Sequence, residues 1–185
     1  LEFRRVLFRS YNATTDASNT FVIYFNSSNN QSLDYFAKVA GTNYGINSSA
    51  VFRDPSAWYH VVMAVDTTQA TAANRQKMYV NGNQITAFGT ANYVPQNTSL
   101  AVNNTVAQYI GGSSSYFDGY ISDFYFIDGQ QLEPYYFGSN DENNIWKPIS
   151  YKGTYGTNGF HLPFSSGSTF ASYSSYYGSF NGSSQ

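Results

Sequence analysis

The sequence predicts an all-β protein, with a sandwich of two antiparallel sheets as the first choice. Three observations carry that expectation. The apolar content is held largely in rings, 18 Tyr, 15 Phe and 2 Trp, and strand-favouring residues outnumber helix formers such as Leu, Glu and Lys. Short β-branched or aromatic runs recur every ~8 to 12 residues with turn signals between them. No βα alternation interrupts the pattern.

The 185 residues suit one domain with a single continuous core, or one domain with a tail. The absence of Cys rules out disulfides and thiolate metal sites, so packing and sheet ladders must hold the fold. A formal net charge of -2 argues against a nucleic-acid partner. No apolar run approaches the ~20 residues of a membrane span.

The opening LEFRRVLFRS stands apart. It holds three of the five arginines of a chain in which charged residues make up 11%. Its apolar VLF is too short for a secretory signal, and three Arg make a poor polyanion-binding arm. The segment back-translates as CTG GAG TTC AGA CGT GTG CTC TTC CGA TCT, which resembles a common short-read sequencing adapter. Residues 1–10 are therefore set outside the fold as a non-native segment. The native protein is expected to be truncated at its N-terminus there, with any strands before Tyr11 missing.

Thr20 to Asn26 (TFVIYFN) reads as a strand, SSNNQS as a turn, and Leu33 to Val39 as the second arm of a hairpin. Ile46 to Phe52 is a weaker third strand, ended by Asp54-Pro55. Trp58 to Asp66 (WYHVVMAVD) is the strongest strand. It is apolar on both alternating faces, as in a central strand covered on both sides. TTQATAANRQ is a loop with mild helical character. Asn81-Gly82 then joins two short strands through a type I′ turn, since both residues tolerate positive φ.

Residues 88–105 read as irregular. Ala107 to Ile110 is a short strand ending in Gly111-Gly112. Phe117-Asp118-Gly119 turns into YISDFYFID, where Ile121, Phe124 and Phe126 face inward and their spacing suggests a bulge near Ser122-Asp123. Glu133-Pro134 starts one helical turn within Leu132 to Phe137, and Phe160 to Phe164 forms a last strand. The final 21 residues, 165–185, hold nine Ser, five aromatics and no charge. They read as a linker, a low-complexity tail or the torn edge of a longer protein.

Three pieces in order, Trp58-Tyr59-His60-Val61-Val62 with Asp66, then Tyr79-Val80-Asn81-Gly82, then Tyr109-Ile110-Gly111 with Phe117-Asp118-Gly119-Tyr120-Ile121, resemble the laminin-G-like branch of the concanavalin A-like lectin/glucanase superfamily. The resemblance covers about Thr20 to Leu132 and implies a jelly-roll β-sandwich, with residues 11–164 as the domain. The continuation FIDGQQLEPYYFG…WKPISYKGTYGTNGFHLPF is similar to versions in tail or appendage proteins of marine bacteriophages. That likeness implies a virion appendage or extracellular setting.

A glucanase of this superfamily needs paired carboxylates on one strand face. The alternating Glu, Asp, Glu strand of its hydrolases is absent, and Glu133 and Glu142 fall in turn-like sequence, so no enzyme is expected. His60 reads as hydrogen-bonded structure, with titration near neutral pH as the alternative. Calcium is the one cofactor the resemblance suggests, with Asp34, Asp66 and Asp118 as imaginable ligands. Turn formation competes with that role at Asp66 and Asp118. Sugar binding requires exposed rings and amides, for which Tyr44, Asn103, Asn104, Tyr116 and Trp146 in loop-like segments are the candidates. The expected partner is a cell-surface glycan, or other virion proteins and further copies of the parent chain if the rings serve subunit packing.

Overall fold

The computed structural model describes residues 4–12, 16–102, 104, 106–112 and 117–164. The tail at 165–185, Asn103 and Tyr116 lie outside them. Thirteen strands and three single turns of 3-10 helix make up the described chain. None of these helices is long and apolar enough to cross a membrane.

One layer is a six-stranded antiparallel sheet, in the order β8 (Phe88–Asn92), β4 (Thr42–Val51), β3 (Ser32–Val39), β2 (Asp16–Asn26), β1 (Arg4–Asn12) and β9 (Ala107–Ile110). The β2–β3 hairpin forms as expected. Asn26 closes it by accepting the Ser28 and Asn29 N–H groups on its side-chain oxygen, the capping use to which Asn is suited. Along β3, Leu33, Tyr35 and Ala37 point into the core, and Ser32 and Asp34 alternate to the opposite face.

The second layer is built in pieces. β5 (Val61–Val65), β6 (Gln76–Val80) and β7 (Asn83–Gln84) form one sheet. The β6–β7 turn carries Asn81 at φ 48 and Gly82 at φ 79, as a type I′ turn requires. β10 (Phe124–Phe126) pairs with β13 (Phe160–Leu162), and β11 (Gly138–Asn140) with β12 (Trp146–Pro148). The core between the layers joins Phe8, Phe21, Phe25, Leu33, Tyr35 and Ile46 to Met78, Val80 and Ile85. Rings dominate it: Phe8 meets Phe21 edge-on at 6.1 Å and stacks on Phe124 at 5.8 Å and Phe126 at 6.2 Å.

Several expectations are corrected here. Residues 4–10, set outside the fold, lie in β1, which fills the position between β2 and β9. Three apolar residues suffice because both neighbours supply ladder edges and Phe8, 4% exposed, plugs the aromatic core. The adapter resemblance concerns coding and stands apart from this placement. β4 begins at Thr42 instead of Ile46, because the Ala40-Gly41 turn, both at positive φ, aligns Val39 with Thr42. Within the stretch read as irregular, β8 pairs with β4, and its polar, exposed residues hid it.

The WYHVVMAVD strand is shorter than expected and, among the described residues, pairs on one edge only, with β6. Near Ser122-Asp123 the expected irregularity takes the form of Asp123 at φ 51, with pairing starting only at Phe124. The β11–β12 hairpin has no counterpart in the sequence reading, since three polar-flanked residues per strand give no periodicity.

Candidate functional site

A cleft of about 1560 Å³ opens between the two pieces of the second layer. β5 lines one wall and β10 the other, while Leu7, Phe8, Phe21, Ile23 and Phe25 of the six-stranded sheet form its floor. Gln131, five residues past β10, reaches the Ala64 carbonyl at 3.4 Å and the Asn74 carbonyl at 3.0 Å. The C-terminal ends of β5 and β10 therefore lie at the same end of the cleft. The segments leading into both strands line it as well, and they form the other mouth.

That mouth carries two exposed rings, Trp58 at 66% and Tyr120 at 87%, with Asp54 and Asp118 beside them on the same segments. The Asp54 carboxylate accepts from the Ser56 hydroxyl at 2.6 Å and its backbone N–H at 2.9 Å. The Ser56 hydroxyl, with that N–H, holds the carboxyl below the usual range. Exposed rings next to two carboxylates, one of them anchored, suit a polyhydroxylated ligand. Neither ring stood out in the sequence. Trp58 sat within an apparent strand, and Tyr120 headed another. The available signals were the Asp54-Pro55 turn before one and Gly119 before the other.

The expected sugar residues do not converge. Tyr44 belongs to β4, opposite Ala37, and packs half-buried against the core instead of lying in a loop. Asn104 is exposed in the turn before β9, its carbonyl accepting from the Val106 N–H at 2.7 Å. Asn103 and Tyr116 are outside the described residues. Trp146 is a β12 residue whose indole lies so close over Gly82 and Gly138 that a Cβ at either would run into the ring. His60 sits 5.7 Å away, ring to ring. This Trp packs half-buried over the hairpin turn.

The aspartates are equally dispersed. Asp34 is fully buried, and its two oxygens accept from Asn26 Nδ2 and Ser32 Oγ, both at 2.6 Å. Asp66 follows β5 and accepts from Gln69 Nε2 at 2.6 Å and from the Thr68 hydroxyl at 2.7 Å. The Gln69 amide and then Thr68 lower its pKa. Of these three, Asp118 is the one exposed to solvent, at the cleft mouth. Among the described residues no three Asp, Glu or His side chains come together to hold a metal.

A family model described as the concanavalin A-like lectin/glucanases superfamily, of laminin-G type, matches residues 2–134. The chain belongs to that superfamily. No curated protein and no solved structure matched it in the same comparisons. In this concanavalin A-like domain the two described glutamates do different things: Glu133 accepts from the Tyr79 hydroxyl and pairs with Lys77 at 3.3 Å, while Glu142 is exposed in a turn. The proximity of Glu133 and burial together push the Tyr79 hydroxyl up, burial being the larger cause.

His60 is the titrating group with a readable consequence. Burial lowers its pKa from 6.5, because desolvation disfavours the imidazolium. The unfolded chain then takes up this proton before the folded one. The contribution is complete above pH ~6.5 and is lost as pH falls towards the lowered folded value. His60→Gln is expected to flatten the loss of thermal stability between pH 7 and 5, as followed by melting curves. An unchanged profile would assign that slope elsewhere.

Proposed function

We propose that the domain is a non-catalytic carbohydrate-binding or adhesion module, carried on a virion appendage such as a phage tail fibre. The observation that supports this reading is the pair of exposed rings, Trp58 and Tyr120, at one mouth of the cleft. An exposed indole costs solubility, and a sugar's CH face is the ligand that such a ring meets without a deep pocket. The Asp54 and Asp118 carboxylates would accept from sugar hydroxyls. Single-site affinity would be modest and raised by many copies on one particle. The concanavalin A-like frame and the scattering of Glu133 and Glu142 agree with binding without hydrolysis.

A glycan array probed with the whole chain tests this. Binding is expected to fall at least ~10-fold in Trp58→Ala and in Tyr120→Ala, with stability changed by less than ~0.5 kcal/mol because both rings are exposed. Full retention of binding in the double variant would sink the site.

A second reading, subunit packing without a sugar site, rests on a different patch. Tyr135, Tyr136, Ile145 and Ile149 are 61%, 43%, 53% and 44% exposed along one stretch of chain. Tyr135 and Tyr136, with Ile149, line a shallow groove there. Stable oligomers that Ile149→Lys disperses, with no array binding, would favour this reading.

A further inference from the structure

Five places in the chain put Asn or Asp directly before Gly: Asn81-Gly82, Asp118-Gly119, Asp128-Gly129, Asn158-Gly159 and Asn181-Gly182. A glycine has no side chain to keep its nitrogen away from the carbonyl carbon of the preceding side chain, and its wide backbone freedom lets the two meet. Anything that pins that side chain or packs the glycine opposes the approach.

Three of the five are held. The Asn81 side-chain oxygen accepts from the His60 N–H at 2.8 Å, and Gly82 lies under the Trp146 ring. The Asp128 carboxylate accepts from the Asn158 N–H at 3.1 Å and from its Nδ2 at 3.0 Å. Those bonds also fix Asn158, and Gly159 is packed against the Tyr155 carbonyl. Asn181-Gly182 lies outside the described residues. Asp118-Gly119 differs from these. Both residues are exposed, and among the described residues nothing hydrogen-bonds to the Asp118 carboxylate or to the Gly119 N–H.

We propose that Asp118-Gly119 is a modification site, where aspartate converts spontaneously to isoaspartate and Tyr120 is thereby displaced from the cleft mouth. The Gly119 nitrogen attacks Cγ of Asp118. The N–Cγ bond forms, the Cγ–OH bond breaks, and the hydroxyl leaves with the amide proton as water. Water then adds to the resulting cyclic imide. Cleavage of the bond between the Asp118 main-chain carbonyl carbon and the nitrogen leaves the chain running through Cβ and Cγ. No oxidant or reductant takes part, and the mass is unchanged.

The main chain is then one carbon longer before Gly119. Phe117 is packed against the core, and a Cβ at Gly119 would stand 2.8 Å from its ring, so the added length goes outward, to Tyr120. At 87% exposure that ring has little to hold it in place. The consequence for binding rests on the glycan reading of this mouth, whereas the isomerisation does not.

The test is peptide mapping of the whole chain after storage in neutral buffer, with a protease that cuts before aspartate and not before isoaspartate, and with methyl labelling by protein isoaspartyl methyltransferase. Isoaspartate is expected to build up at Asp118 at least ~10-fold faster than at Asp128, where two hydrogen bonds to a charged group must break first. In urea, which frees both, the two rates should converge. Amide exchange at Tyr120 and Ile121 should quicken in the aged chain, and Asp118→Glu, whose side chain is too long to close the same ring, should stay unmodified at that position. On any glycan that the fresh chain binds, the loss on ageing should match the isoaspartate fraction, and repair by the methyltransferase should restore it.

Equal rates at Asp118 and Asp128 in the folded chain, or a difference that persists in urea, would overturn the structural basis of the site. Isoaspartate at Asp118 with unchanged exchange at Tyr120 would overturn the displacement. Full glycan binding by an isomerised chain would overturn the consequence at the mouth. A fresh chain that binds no glycan would sink the glycan reading and leave the modification decided by the peptide map.

Discussion

Phe8→Ala is expected to destabilise the protein by about 3–5 kcal/mol in chemical denaturation, as for a fully buried ring. Phe8 is 4% exposed and touches three other rings drawn from both layers, Phe21 from one and Phe124 and Phe126 from the other. Removing it opens a hole at the floor of the cleft, where neighbours are least able to collapse. Leu7 and Ile23 border the same space, so the loss adds to a region already short of packing partners. The result also decides the standing of the opening segment. Were residues 1–10 outside the fold, the substitution would cost less than ~0.5 kcal/mol, as at a surface position.

Asp34→Ala is expected to cost about 2 kcal/mol, because it leaves one buried donor, the Ser32 hydroxyl, and one half-buried donor, the Asn26 amide, without their acceptor. Asp34→Asn should recover part of this loss, since one amide oxygen still accepts. The carboxylate is enclosed and both oxygens are taken, so millimolar calcium is expected to leave the melting temperature of the wild-type protein and of Asp34→Asn equally unmoved. A calcium-dependent rise confined to the wild type would make Asp34 a ligand.

How much of this was legible depends on what each residue's neighbours had to say. Hairpins were readable wherever turn chemistry and alternation agreed, as at Asn81-Gly82 and across β2 and β3, because local sequence fixes those ladders. β8 was not, since an exposed edge strand has no apolar face to announce it. β1 was misplaced for the opposite reason. Its charge and its coding pointed outside the fold, while a single ring, Phe8, had partners more than a hundred residues away. The candidate site failed at a similar point: Trp146 and Tyr44 are rings in polar sequence that tertiary packing claims, and Trp58 is a ring in apolar sequence that packing leaves free. Exposure of an aromatic is decided by what lies across from it, and single-chain periodicity carries no record of that.

The pairing of β1 with β9 sets Phe8 against Ile110 and Tyr11 against Ala107. Joining residues so distant along the chain demands a large loop-closure entropy before any contact repays it. Chains dominated by such long-range pairs reach their native state in milliseconds to seconds, on the order of a thousand times slower than helical bundles. The local ribbons β2–β3–β4 and β5–β6–β7 can form early, and the sheet edge made by β1 and β9 must close late. Until it does, the aromatic interior faces water, and a nascent chain is most exposed to self-association in that interval.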